Sequence, residues 1–125
     1  MHAILLVSHG SRREQSNHEV IQLCCQLNQY LEEHFDMVSA AFLEIASPSI
    51  PDGIKDCVSR GASTITVLPY FLSAGRHVAE DIPSIIHNAR GDYPHIEFLM
   101  TPHVGAFTKM PHLLSTAAKC YSQKI

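Results

Sequence analysis

The sequence predicts an α/β domain, a three-layer sandwich in which a four-stranded parallel sheet is flanked by helices. Three observations lead there. Four short apolar runs, beginning at Ala3, Met37, Thr64 and His95, each precede a segment with helical spacing, and such alternation calls for parallel strands joined by right-handed crossovers. The first run is apolar without a break, the pattern of a strand covered on both faces. Capping or chain-breaking residues punctuate the segments between the runs.

Ala3 to Val7 forms the first expected strand, closed by Ser8, His9, Gly10 and Ser11. Ser16 to Glu19 reads as a capping box, in which a serine and a glutamate satisfy free N–H groups at a helix start. Val20, Leu23, Cys24, Leu27 and Leu31 then recur at helical spacing, so one face of this helix packs on the sheet. "MVSAAFL", Met37 to Leu43, is the second expected strand, followed by Glu44. Ser49 caps the second helix, with Pro51 in its first turn and Gly61 as the left-handed residue that ends it. "TITVL", Thr64 to Leu68, is the most β-branched stretch and is expected at the centre of the sheet.

"PYFLSAGRHVAEDIP" follows with no simple period. Pro83 either starts the regular part of a third helix or kinks it, and that helix is expected to end near Arg90 and Gly91. His95 to Met100 supplies the fourth strand. From Thr108 to Tyr121, Met110, Leu113, Leu114, Ala117, Ala118 and Tyr121 fall at helical spacing.

The composition narrows what such a domain does. A length of 125 residues suits one domain, residues 1–125, with a single buried core. A formal charge of −3 provides no basic field for nucleic acid or an anionic membrane. Four cysteines without C-x-x-C spacing read as reduced thiols of a cytoplasmic protein. The N-terminal apolar run is too short for a signal peptide, and no stretch reaches membrane-spanning length. Nine histidines are the unusual count, because imidazole both binds metals and titrates near neutral pH.

In a parallel sheet, ligands bind beyond the carboxyl ends of the strands. His9, Glu44, the loop from Leu72 to His77, and Pro102 with His103 all fall there. His9, beside Gly10, Ser11, Arg12 and Arg13, is a candidate ligand or proton acceptor, whose bland alternative is a turn histidine. His77 gains weight as its partner, since two imidazoles from neighbouring loops can share one divalent ion. Glu44 is placed to accept a proton or complete a coordination sphere, or is simply a solvated strand end. Glu80 and Asp81 suit a helix dipole. His2, His18, His34, His87, His95 and His112 read as bystanders. Neither a Walker loop nor a dinucleotide fingerprint is present, and no nucleophile elbow occurs. The expected chemistry therefore uses no ATP, nicotinamide or flavin.

Taken together, "VSHGSR", "FLEIASPSIP" and "LPYFLSAGRHVAEDIP" resemble the short, single-domain members of the CbiX/SirB family of sirohydrochlorin chelatases, relatives of the class II ferrochelatases, over nearly the whole chain. The resemblance implies a flavodoxin-like, chelatase-like half domain. It also implies insertion of a divalent metal, Co²⁺ or Fe²⁺ and in some relatives Ni²⁺, into sirohydrochlorin, with the ion as substrate.

Carried over by motif, His9 matches the proton-accepting and metal-binding histidine, and His77 the second metal-binding histidine. Leu72, Ser73, Ala74, Gly75 and Arg76 match the loop that holds the macrocycle. Ser47 occupies a position that is acidic in some relatives, with Glu44 the nearby acid, and both are expected at the substrate. Arg12, Arg13 and Arg76 suit the carboxylates of sirohydrochlorin, and Tyr70 and Phe71 its flat face. Since one small sheet cannot enclose a macrocycle, a homodimer with facing strand ends is expected. Two other readings remain open at this stage: a metal or tetrapyrrole carrier using the same histidines without turnover, and a phosphotransfer enzyme working through a phosphohistidine at His9.

Overall fold

In the computed structural model, residues 1–125 are described throughout, except for the side chain of His77. The strands are β1 (His2–Ser8), β2 (Met37–Phe42), β3 (Thr64–Pro69) and β4 (Glu97–Met100), and the helices are α1 (Glu14–Leu27), α2 (Ile50–Ser59), α3 (Ile82–Asp92) and α4 (Met110–Tyr121). All strand pairs are parallel, and the sheet order is β2-β1-β3-β4. The α/β fold predicted from the apolar runs is the fold observed, and "TITVL" is an inner strand.

The strands alternate their side chains between two cores. Ala3, Leu5, Val7, Ala41, Ile65 and Val67 face α2 and α3, where Ile54, Cys57, Ile82, Ile86 and Ala89 close over them. Leu6, Val38 and Phe42 face Val20 and Cys24 of α1 on the other side. Leu31 also packs there, beyond the end of α1, because the helix stops at Leu27. Asn28 follows, and its side chain donates to the Val38 carbonyl at 3.1 Å and accepts from the Val38 N–H at 3.0 Å. This amide stands in for a neighbouring strand at the outer edge of β2 and blunts it.

Most of the expected punctuation holds. The Ser49 hydroxyl accepts from the Asp52 N–H at 3.2 Å, Pro51 lies in the first turn of α2, and Gly61 has φ +105°. Pro83 starts the regular part of α3 rather than kinking it, after one turn of π-helix over His77–Asp81.

Two expectations need correction. Ser16 does not cap α1; the helix begins at Glu14, so its N-cap is Arg13, three residues earlier. The reason is Asn17, whose side chain bonds both the N–H and the C=O of Ser11 and draws the preceding loop onto the first turn. The second concerns α4, which forms over the expected residues but buries none of them. Its main contact among the described elements is with the 3₁₀ turn Val104–Ala106.

The order of connections fixes where ligands fit. From β1 the chain leaves over the α1 face, and from β3 it leaves over the α3 face. Adjacent strands whose continuations part to opposite faces leave a crevice at their carboxyl ends. His9 follows β1, and the loop from Tyr70 to Arg76 follows β3.

Candidate active site

The crevice is assembled by backbone bonds that continue past the strands. Beyond the last residue of β2, the Leu43 N–H donates to the Ser8 carbonyl at 2.9 Å and the Glu44 N–H donates to the His9 carbonyl at 3.0 Å. Register alone therefore brings residues 9 and 44 side by side. Their side chains complete the pairing: His9 Nε2 lies 2.7 Å from Glu44 Oε1. With the carboxylate ionised, Nε2 carries the donated hydrogen, and in the neutral ring Nδ1 then holds the lone pair. Both side chains are about half exposed, and a pair so exposed contributes only about 0.2–1 kcal/mol to stability. Stability is a weak reason for its existence; its position is at the carboxyl ends of the strands, where parallel sheets bind ligands.

The backbone under this pair is held tightly. Gly10 has φ +94°, and a Cβ there would lie 1.9 Å from the Glu44 carbonyl oxygen. The space that a side chain would take at Gly10 belongs to the Glu44 to Ala46 loop. Directly after Glu44, Ile45 has φ +71° while the Ala46 N–H donates back to the Glu44 carbonyl at 2.8 Å. A β-branched residue in this region is strained, by roughly 1–3 kcal/mol. The turn is paid for by the surrounding contacts and aims the Glu44 side chain back at His9.

The loop after β3 is buttressed from β4. The Gly105 N–H donates to the Phe71 carbonyl at 3.0 Å, and a Cβ on Gly105 would lie 1.7 Å from the Leu72 carbonyl oxygen. Residues 72–76 project into solvent on this support, with Leu72 78% exposed. Exposed Ile45 and Tyr70 add to the apolar rim. Gly75 lies outside the left-handed region, with open space around it. Arg76 reaches Glu80 at 3.9 Å, a long surface pair that leaves the guanidinium solvated.

Beside the pair, a cleft of about 380 Å³ is lined by Arg12, Asn17, His18, Ile45, Ala46 and Ser47. The structure thus brings Arg12 and Ser47 to one cleft. It adds His18, which had read as a helix-surface bystander; its position one turn into α1, facing Ser47, is not visible in a linear motif. His103 is part-buried in the segment before the 3₁₀ turn. Among the described residues no group of three or more His, Cys, Asp or Glu side chains converges as a metal site. The expected His77 ligand lies outside the described side chains, and its backbone opens the π-helical turn beside the Leu72 to Arg76 loop.

The family model for CbiX matches residues 3–120. The chain belongs to the CbiX family. Among relatives, the sirohydrochlorin cobaltochelatase of Sulfurisphaera tokodaii is 31% identical over 114 residues, 91% of this chain and 88% of that protein. The chloroplastic sirohydrochlorin ferrochelatase of Arabidopsis thaliana is 36% identical over 102 residues, 82% of this chain but 44% of that protein. The crystal structure of the sirohydrochlorin chelatase SirB from Bacillus subtilis subspecies spizizenii, in complex with cobalt, superposes with a TM-score of 0.82 at 29% identity, over 94% of this chain and 50% of that one. The chain therefore spans about half the length of the longer family members and nearly all of the short one.

Proposed function

We propose that residues 1–125 form one chelatase domain that inserts a divalent metal into sirohydrochlorin without ATP, the metal being Co²⁺ or Fe²⁺, with Ni²⁺ a further candidate. The observation that carries this is the His9–Glu44 pair, 2.7 Å apart at the switch point of a CbiX-family sheet. Metallation requires the ion to shed water and the pyrrole N–H protons to leave. A site for it needs ligands that release the ion and a base at the ring. His9 and His77 hold the ion over the ring, His77 by its place in the family motif. Glu44 accepts the hydrogen of His9 Nε2, which orients the imidazole and stabilises it when protonated.

The substrate is a flat ring edged by carboxylates. Leu72, Ile45 and Tyr70 offer it apolar contact, while Arg12, Ser47 and the solvated Arg76 suit its carboxylates. Ser73, Ala74 and Gly75 complete the loop on that side. The rim is open to solvent, so we assign the second wall to another copy in a homodimer. The twofold length of SirB relative to the matched region supports this. The four cysteines are unbridged, which supports a reducing, cytoplasmic setting.

Incubation of the protein with sirohydrochlorin and each metal separately under anaerobic conditions, followed by absorbance, tests the reading. Many metallated rings per chain are expected for at least one metal. A single stoichiometric transfer would instead make the protein a carrier built on the same histidines. His77→Ala should weaken Co²⁺ binding in the absence of tetrapyrrole, and unchanged binding would remove His77 from the site.

A further inference from the structure

The cleft beside the His9–Glu44 pair holds a histidine that the metallation chemistry does not use. Its two walls are direct continuations of the pair: Arg12 lies just beyond His9 in the chain, and Ile45, Ala46 and Ser47 follow Glu44. A ring centred over His9 therefore has its edge at the mouth of this cleft. Whatever projects from that edge enters it.

The walls are held in shape by the chain's own bonds. The Asn17 side chain accepts from the Ser11 N–H at 2.9 Å and donates to the Ser11 carbonyl at 2.7 Å, which fastens the loop carrying Arg12 to the turn of α1 carrying His18. On the other wall, the bond from the Ala46 N–H to the Glu44 carbonyl fixes the turn that leads to Ser47. A site already in its bound shape has less ordering left to do when a ligand arrives.

The polar groups on these walls lack partners. Among the described residues, the side chains of Arg12, His18 and Ser47 have no hydrogen bond or ion pair, and Arg12 and His18 are exposed. Glu14, the first residue of α1, is the acid on the wall. Its charge opposes that of Arg12, so His18 decides the sign of the cleft, which is positive when the imidazole carries its second proton. All three unpartnered groups can donate, and an acceptor ligand suits them.

Volume and charge narrow the ligand. A cleft of about 380 Å³ has room for more than one carboxylate. Sirohydrochlorin carries its carboxylates in pairs, a shorter and a longer arm side by side on each ring. The Arg12 guanidinium can fork onto one carboxylate, which leaves His18 and Ser47 to the other. A divalent cation is the competing occupant, because Glu14 and His18 stand at i, i+4 on α1. Arg12 opposes a cation on the same wall, and among the described residues no three ligating side chains meet there.

We propose that His18, with Arg12 and Ser47, forms a subsite for two adjacent carboxylate arms on one edge of the tetrapyrrole, and that His18 gives the domain its preference for rings whose arms are paired. The inference rests on the chelatase reading above and deepens it by naming the residue that tells one class of macrocycle from another.

Fluorescence titration of the full chain without metal tests the subsite. The probes are uroporphyrin III, whose arms are paired on every ring, and coproporphyrin III, in which a methyl replaces each shorter arm. The parent is expected to bind uroporphyrin III more tightly. His18→Ala should weaken uroporphyrin III binding about tenfold, the scale of one hydrogen bond to a charged group, and coproporphyrin III binding far less. His18→Lys, which restores a cationic donor, should recover most of the preference. A merely structural role for His18 would weaken both porphyrins alike.

No preference in the parent, an equal loss of both porphyrins in His18→Ala, or a His18→Lys variant as indifferent as His18→Ala would each overturn the subsite. Weaker Co²⁺ binding by His18→Ala in the absence of tetrapyrrole would do the same, since it would place a metal at His18. Because the titration needs no turnover, a parent that shows the preference yet metallates nothing would count against the chelatase reading alone. A parent that metallates sirohydrochlorin over many turnovers without the preference would count against the subsite alone.

Discussion

Gly10 and Gly61 offer a matched pair that isolates the cost of holding the Glu44 loop against β1. Their φ values are +94° and +105°, so alanine at either position meets comparable backbone strain, roughly 1–2 kcal/mol. At Gly61 an added Cβ finds nothing within 4 Å, whereas at Gly10 it would sit 1.9 Å from the Glu44 carbonyl oxygen. An ordinary contact there is more than an ångström longer, so the Glu44 to Ala46 loop must move. Overpacking of that kind costs a further ~1–3 kcal/mol. A domain of this size loses roughly 3–6 °C of Tm per kcal/mol. Gly10→Ala is therefore expected to melt on the order of 10 °C below Gly61→Ala by differential scanning calorimetry, and to lose metallation activity that Gly61→Ala keeps. Equal melting temperatures and equal activities would refute the claim that this close approach positions Glu44.

Gly105→Ala should raise the KM for sirohydrochlorin more than it lowers kcat, because a Cβ 1.7 Å from the Leu72 carbonyl displaces the substrate loop, while Gly91→Ala in α3, with open space around it, should leave both near the parent values in steady-state assays. Ile54, fully buried between α2 and the sheet, should cost about 2–5 kcal/mol as Ile54→Ala in urea unfolding, without moving the rim. Burial pushes the Cys24 thiol up to about 11, with Cys25 beside it adding to the effect, so iodoacetamide at pH 8 should label exposed Cys25 and Cys120 well before Cys24 or Cys57 in a mass-spectrometric time course. The same raised value means that Cys24 keeps its proton in the folded chain after the unfolded thiol, near 9.0, has lost it. Stability is then full below about pH 9 and declines by on the order of 2–3 kcal/mol as pH rises toward 11.

Periodicity carried the architecture because each strand is buried by residues that follow one another in the chain, as in Ala3 to Val7 and Thr64 to Leu68. Caps that use a residue's own neighbours, such as Ser49 to Asp52, were equally readable. The start of α1 was not, since Asn17 reaches back six residues to Ser11 and overrides the Ser16 signal. Helix α4 shows a different limit. Its apolar stripe is plain in the sequence, but a stripe says that a face must be covered and not by what.

At the site, the position of His9 followed from topology, and Glu44 was read as the acid at the same rim. Their pairing depends on β1–β2 register, and the roles of Gly10, Ile45 and Gly105 depend on contacts between loops far apart in sequence. Gly105 is the clearest residue that sequence reasoning passed over. A glycine two residues after His103, in a segment leaving the sheet toward the rim, was the available signal.

If the His9–Glu44 pair handles protons during metallation, the initial rates of His9→Ala and Glu44→Gln with sirohydrochlorin and Co²⁺ must show it. Both variants should keep the parent's melting temperature within a few degrees, since so exposed a pair adds at most about 1 kcal/mol. Their metallation rates should fall about 10²-fold or more, the usual contribution of a positioned acid–base group. Parent-like rates in either correctly folded variant would remove the pair from the proton transfer.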